Sequence, residues 1–306
     1  MMAEALRGVL PVAPTVFHDD ESLDLEGQRR VTDFLIDAGS AAICVLANYS
    51  EQFSLTDDER AAVLDATVEQ AAGRIPIIAT TSAYGAEIAR ARSLDAQRRG
   101  ADFVMLMPPF FGATMTVPER LVVDYFHRVA NGLQIDIVVQ DAPMSPTLMS
   151  VPLLTRLGTE VALIRHAKIE MPRTASKVRE LIAAAGDALP GVYDGEEAVT
   201  LIPDLDAGVQ ATMSSAMVPE RLADIVSSFH AGRRDEAVQD WEALLPLIHY
   251  ENRQCGLAAA KHVLHAGGII GSARCRAPFP ELSPVTVAEL LDLAGRRDLL
   301  ALRWAA

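Results

Sequence analysis

Lysine is scarce in this chain. Three occur in 306 residues, Lys168, Lys177 and Lys261, while 24 of the 27 basic residues are arginine. Arginine keeps its charge at any useful pH and cannot act as a neutral amine nucleophile. Amine chemistry is therefore confined to those three positions, and Lys177, in a polar helical stretch, is assigned no role. Cysteine is equally rare. Cys44, Cys255 and Cys275 show no CxxC spacing, and an odd count suits reduced thiols in a reducing compartment. A basic surplus is lacking too: 41 acidic residues face 27 basic ones, a net charge of −14. That excludes a nucleic-acid binder, whose phosphate contacts need a basic surface. No apolar run approaches the ~20 residues of a membrane span. The opening MMAEALRGVL lacks the charged start and apolar stretch of a signal peptide. A soluble, cytoplasmic protein is expected. Disorder is excluded, because half the residues are hydrophobic and only 22% are charged.

Short apolar segments rich in β-formers alternate with longer amphipathic ones. Strand candidates begin at Gly8, Ala41, Ile75, Asp102, Ile135, Val161, Gly191 and Ala211, and segments with helical spacing follow them, such as 57–72 and 87–99. Near-continuous apolar strands imply a parallel sheet buried on both faces. Eight β-then-α units without a long gap fit a (β/α)8 TIM barrel better than an open sheet. No GxGxxG follows the first strand, which weakens a dinucleotide-binding fold. After about Pro219 the strand signal stops. The remainder reads as helices broken at Gly267–Gly268 and at the Pro278/Pro280 turn. The expected organisation is a catalytic barrel over 1–225 and a C-terminal helical extension over 226–306, packed on the barrel.

Active sites of such barrels lie at the carboxyl ends of the strands. There the strongest signal is Lys168 with Glu170. Side chains two apart on a strand share a face, their Cα atoms about 6.5–7 Å apart. Burying a charged lysine is costly, so its pKa is expected to fall. A neutral amine in a desolvated pocket attacks a ketone to form a Schiff base. A carboxylate one strand-step further on would then move protons at the adjacent carbon. Spacing alone leaves a structural Lys–Glu ion pair equally open. His166 shares the face but lies deeper, where a packing role is favoured. Glu196 and Glu197 either hold substrate hydroxyls or, for Glu197, complement a helix N-terminus. His262 and His265 are spaced i,i+3 without a third ligand, so no metal is expected. Glu51 either accepts a structural hydrogen bond, the favoured reading, or touches the pocket, and Cys44 reads as an inert buried thiol. Phe110, Phe111, Met105 and Met107 read as pocket lining or core.

These strand ends carry a resemblance. A lysine closing the sixth strand, Ser50-Glu51 followed by a leucine after the second, and Gln140-Asp141-Ala142-Pro143 after the fifth form one pattern. It resembles the dihydrodipicolinate synthase / N-acetylneuraminate lyase family of class I Schiff-base barrels. The stretch ANYSEQFSLTDDER at 47–60 is similar to the family's GTTGE…LT..ER, and Lys168 falls on its Schiff-base lysine. Where the family has two threonines, this chain has Asn48 and Tyr49; its tyrosine before the proline turn is Gln140, and a further tyrosine is Phe111. Glutamine and phenylalanine cannot relay a proton as those tyrosines do. The combination ANYSEQF, VQDAP, KIE, DGEE and YENRQCGL resembles the family's branch of 2-keto-3-deoxy-L-arabonate dehydratases, in which Glu170 would take the tyrosine's place.

The resemblance implies a hydro-lyase that converts a 2-keto-3-deoxy sugar acid to a semialdehyde without metal or organic cofactor. Lys168 would form the imine and Glu170 move the protons. Backbone N–H groups of Tyr49 and Ser50, with the Ser50 hydroxyl, would hold the substrate carboxylate. Gln140, Gly195, Glu196 and Ser214 would line the rest of the pocket. A homotetramer follows from the same resemblance. Two alternatives stay open: a retro-aldolase releasing pyruvate, and a catalytically silent 2-oxo-acid sensor.

Overall fold

The computed structural model describes residues 5–112 and 115–305. Strand and helix alternate through β1 (Gly8–Val9), α1 (Leu25–Asp37), β2 (Ile43–Val45), α2 (Asp57–Ala71), β3 (Ile77–Thr80), α3 (Ala86–Arg98), β4 (Phe103–Leu106) and α4 (Glu119–Ala130). The alternation continues through β5 (Asp136–Asp141), α5 (Val151–Glu160), β6 (Ile164–Ile169), α6 (Thr174–Ala185), β7 (Gly191–Asp194), α7 (Leu201–Ala207), β8 (Ala211–Thr212) and α8 (Pro219–His230). All neighbouring strands pair in parallel, in the order β1-β8-β7-β6-β5-β4-β3-β2. Val12, just past β1, bridges both Cys44 and Ser215, so the two edges of the ladder meet. The eight expected strands are all present. Beyond α8 the described residues form α9 (Arg234–Tyr250), α10 (Ala258–Ala266) and α11 (Pro284–Gly295), with a short turn between the first two, a long irregular connection over 267–283 before the third, and no strand.

Local chemistry accounts for the helix starts. Thr56 and Glu59 close a reciprocal capping box on α2, while Asp24, Ser150 and Ser283 cap α1, α5 and α11 through their side chains. Strands β2, β3 and β4 are buried at every residue, as a sheet covered on both faces requires. Two apolar clusters result. One fills the barrel interior with Leu10, Cys44, Ile78, Met105, Val138, Tyr193 and Met213. The larger lies between sheet and helices, and Leu244, Leu247, Val263, Leu264 and Leu290 from α9–α11 belong to it. No described helix is long and apolar enough to cross a membrane.

One irregularity sets the phase of β6. Ile137 pairs with Ile164 but Val138 with His166, leaving Arg165 as an extra residue. Ile164, Ala167 and Ile169 join the outer cluster, so the bulge turns His166, Lys168 and Glu170 inward.

Candidate active site

Lys168 and Glu170 meet at the end of β6, with Nζ 2.5 Å from Oε1. Gln140 lies opposite Lys168 in the β5–β6 register, and its Nε2 donates to the same Glu170 oxygen at 2.7 Å. Glu170 is therefore held from two sides. Gly195 covers the pair. A Cβ there would stand 2.5 Å from Glu170 Cγ and 2.7 Å from Lys168 Cε, so only glycine lets the β7 loop approach this closely. Below Lys168 the buried His166 stacks on Tyr193 and shares a 2.8 Å hydrogen bond between Nδ1 and Oη. It fills the barrel interior under the lysine.

The lysine's charge state differs from the sequence expectation. Burial pulls the Lys168 ammonium down, but Glu170 and Glu197 outweigh it and raise the pKa above its ordinary value. Lys168 is thus held as an ammonium, and would have to surrender a proton before it could attack a ketone. Sequence spacing shows that a lysine is buried, but not how many carboxylates accompany it.

All three lysines have found acids. Lys177 Nζ lies 2.5 Å from both Asp141 Oδ2 and the Met149 carbonyl, fixing the turn after β5. It is therefore not the idle residue its helical surroundings implied. Lys261 donates to Glu51 Oε1, and the Arg276 backbone N–H reaches Glu51 Oε2 at 2.7 Å. Both Glu51 oxygens are occupied by structural partners.

Tyr49 and Ser50 sit on a single 3-10 turn, Asn48–Ser50, after β2. The turn spends the Ser50 N–H on the Ala47 carbonyl at 3.0 Å, and the Ser50 hydroxyl donates to the Ala13 carbonyl at 2.6 Å. The Ser50 donors expected for a substrate carboxylate are thus engaged within the fold. The Tyr49 phenol is pushed above its ordinary range by burial, then by Glu197, Glu251 and Glu170.

Consecutive acids after β7 diverge. Glu196 Oε2 faces the Thr174 and Thr200 hydroxyls at 3.4 Å each, turning this side chain toward α6 and α7. Glu197 is instead the one whose charge reaches Lys168 and Glu170; burial raises its pKa well above the ordinary carboxylate value, opposed first by Lys168. Ser214 is buried with no partner for its hydroxyl. Ala211 and Met213 belong to the interior cluster, so alternation gives the interior face to Ser215 and the opposite face to Ser214. Phe111 is largely exposed, whereas Met105 and Met107 are buried. Burial raises the Cys44 thiol to about 11, an unreactive state. Among the described residues no group of three or more His, Cys, Asp or Glu is arranged to hold a metal ion.

Eight parallel strands with a buried lysine–carboxylate pair at their carboxyl end define an α/β barrel of the TIM-barrel kind. The chain belongs to the dihydrodipicolinate synthetase family, whose profile matches residues 5–294. It is 49% identical over 299 residues to the L-2-keto-3-deoxyarabonate dehydratase of Azospirillum brasilense, covering 98% of this chain and 97% of that one. Identity to the 4-hydroxy-tetrahydrodipicolinate synthase of Methanosphaerula palustris is 26%, covering 95% and 99%. The dihydrodipicolinate synthase structure from Aquifex aeolicus superposes with a TM-score of 0.89 over 96% of this chain and 98% of that chain, at 22% identity, a likeness of fold.

Proposed function

We propose that the protein is a hydro-lyase that dehydrates 2-keto-3-deoxy-L-arabonate, or a close 2-keto-3-deoxy sugar acid, to 2-oxoglutarate semialdehyde. The observation that carries this is the Lys168–Glu170–Gln140 cluster, a nucleophile beside a carboxylate with glutamine where a cleaving enzyme needs a base. Its likeness to the Azospirillum brasilense dehydratase across nearly the whole chain supports the substrate. Lys168 passes its proton to Glu170 and adds to the C2 ketone; Glu170 returns the proton to the carbinolamine hydroxyl, which leaves as water and restores the carboxylate. The iminium acidifies C3, Glu170 takes a C3 proton, and the enamine expels the C4 hydroxyl as water with that proton. The conjugated iminium then loses a C5 proton, the C5 enol becomes the aldehyde, and hydrolysis frees Lys168. The protonated imine is the electron sink, so the steps call on no cofactor.

Retro-aldol cleavage needs a base on the C4 hydroxyl. Gln140 is not basic, and its amide nitrogen is bonded to Glu170. We read 226–306 as a helical extension packed on the barrel, supported by its share in the barrel's outer apolar cluster. A homo-oligomer is supported by Phe53, Tyr84, Ile88 and Phe111, which expose about half or more of their surface around one cavity. Assaying a panel of 2-keto-3-deoxy acids for semialdehyde against pyruvate tests the reading; semialdehyde is expected, with L-arabonate-derived acid preferred.

A further inference from the structure

The reaction just described leaves one proton transfer without an owner. Glu170 serves C3 and the departing C4 hydroxyl, yet the later steps break a C5–H bond and protonate C4. A second acid–base group has to face the hydroxymethyl end of the substrate.

Glu251 has the required setting. It is 1% exposed and opens a single π-turn, Glu251–Cys255, between α9 and α10, an element found frequently at functional sites. The Ser215 hydroxyl, beyond β8, donates to its carboxylate, while Glu251 Oε1 has no hydrogen-bond partner. Glu197 Oε2 is likewise hidden and unpartnered. Its backbone is held in the left-handed region at φ 52°, with Ala198 at φ 63°, a strained pair for non-glycine residues. Val12 bridges Cys44 and Ser215, which sets the end of β2 beside the end of β8 across the seam, and the charges of both Glu197 and Glu251 reach the Tyr49 phenol that follows β2. Buried polar atoms in folded proteins are nearly always paired. One oxygen on each of two carboxyls from separate elements is therefore free to accept a hydrogen bond from a ligand hydroxyl. Burial does not set Glu251 apart from the reacting groups, since Lys168 itself is only 3% exposed.

We propose that Glu251 is a second acid–base residue of the active site, placed with Glu197 and the Tyr49 phenol around the substrate's hydroxymethyl end. This rests on the dehydratase reading and extends it. Glu251 takes the C5 proton; that C–H pair becomes the C4=C5 bond, the C3=C4 pair moves to C2=C3, and the C2=N pair returns to nitrogen. A proton reaches C3 through Glu170. Glu251 then returns its proton to C4 while Glu197 accepts the enol hydroxyl proton and releases it to solvent. Two protons leave C5 and its oxygen and two arrive at C3 and C4, so no oxidant or co-reactant is consumed. Burial pushes the Glu251 carboxyl up to about 7, opposed by the Ser215 hydroxyl, which suits a group exchanging protons near neutrality.

The test is Glu251→Gln, read at three steps in one preparation. Borohydride trapping with pyruvate reports the imine, exchange of the pyruvate methyl protons in D2O reports Glu170, and semialdehyde formation reports the whole sequence. Trapping and exchange are expected within about three-fold of wild type, with semialdehyde formation down about 10²–10⁴-fold. Turnover within about five-fold of wild type overturns the proposal, and so does loss of methyl exchange in step with turnover, which marks structural damage. Should the glutamine variant not fold, Ser215→Ala replaces it: turnover about ten-fold down with exchange intact supports the role, and unchanged turnover overturns it. A wild-type enzyme that exchanges pyruvate protons but forms no semialdehyde fails the dehydratase reading instead, so the two failures are distinct.

Discussion

Lys168 rests as an ammonium against Glu170, so the mechanism proposed above begins with the transfer of that proton to Glu170. One imine site follows from the pairing of the other lysines, Lys177 with Asp141 and Lys261 with Glu51. Borohydride with a 2-oxo acid is expected to add one adduct per chain, on the peptide bearing His166–Glu170; an adduct on Lys261 with an active Lys168→Ala enzyme would sink the assignment. Glu170→Gln separates binding from chemistry, because an amide accepts no proton from C3. Trapping is expected to persist while turnover falls about 10²–10⁴-fold, roughly 3–5.5 kcal/mol of transition-state stabilisation. Turnover within a few-fold of wild type would show that another group carries the C3 proton.

Elements hold these residues in place through buried charges. Helix α10 reaches the loop after β2 through Lys261, which is fully buried against Glu51 beneath the Phe17 ring. Lys261→Met leaves Glu51 buried with only the Arg276 N–H, and breaking such a pair costs about 3–5 kcal/mol. Urea unfolding is expected to show that loss, with a raised KM because the same loop carries Tyr49; an unchanged midpoint would contradict it. The loop after β7 is tied down by Asp194 and Asp204. Burial, then Asp194, pushes the Asp204 carboxyl up to about 7, while Thr200 donates to it at 2.6 Å. An unfolded aspartate ionises near pH 4. Between about pH 4 and 7 the folded state binds more protons than the unfolded one, so this group makes stability fall as pH rises. The stability of Asp204→Asn relative to wild type is expected to grow from pH 5 to pH 7 and level off above. Parallel melting profiles would refute the assignment.

At the scale of the molecule, the barrel was legible because each strand is an apolar run bounded by a helical segment, and Lys168 because lysine is so scarce. Phase and partnership were not. The Arg165 bulge that turns Lys168 inward has no local signature, and Lys261 meets an acid 210 residues away. Gln140 was readable as a missing tyrosine but not as the donor that fixes Glu170, a contact made only when β5 and β6 pair. Glu197 and Glu196 look alike in sequence; only the fold turns one toward Lys168 and the other toward α6. In the proposed mechanism Gln140 is also where dehydration and cleavage part company. The decisive measurement is the product ratio when the wild-type enzyme is incubated with 2-keto-3-deoxy-L-arabonate and followed by NMR. Semialdehyde is expected with little or no pyruvate and glycolaldehyde; pyruvate as the dominant product would contradict a dehydratase and make the protein an aldolase.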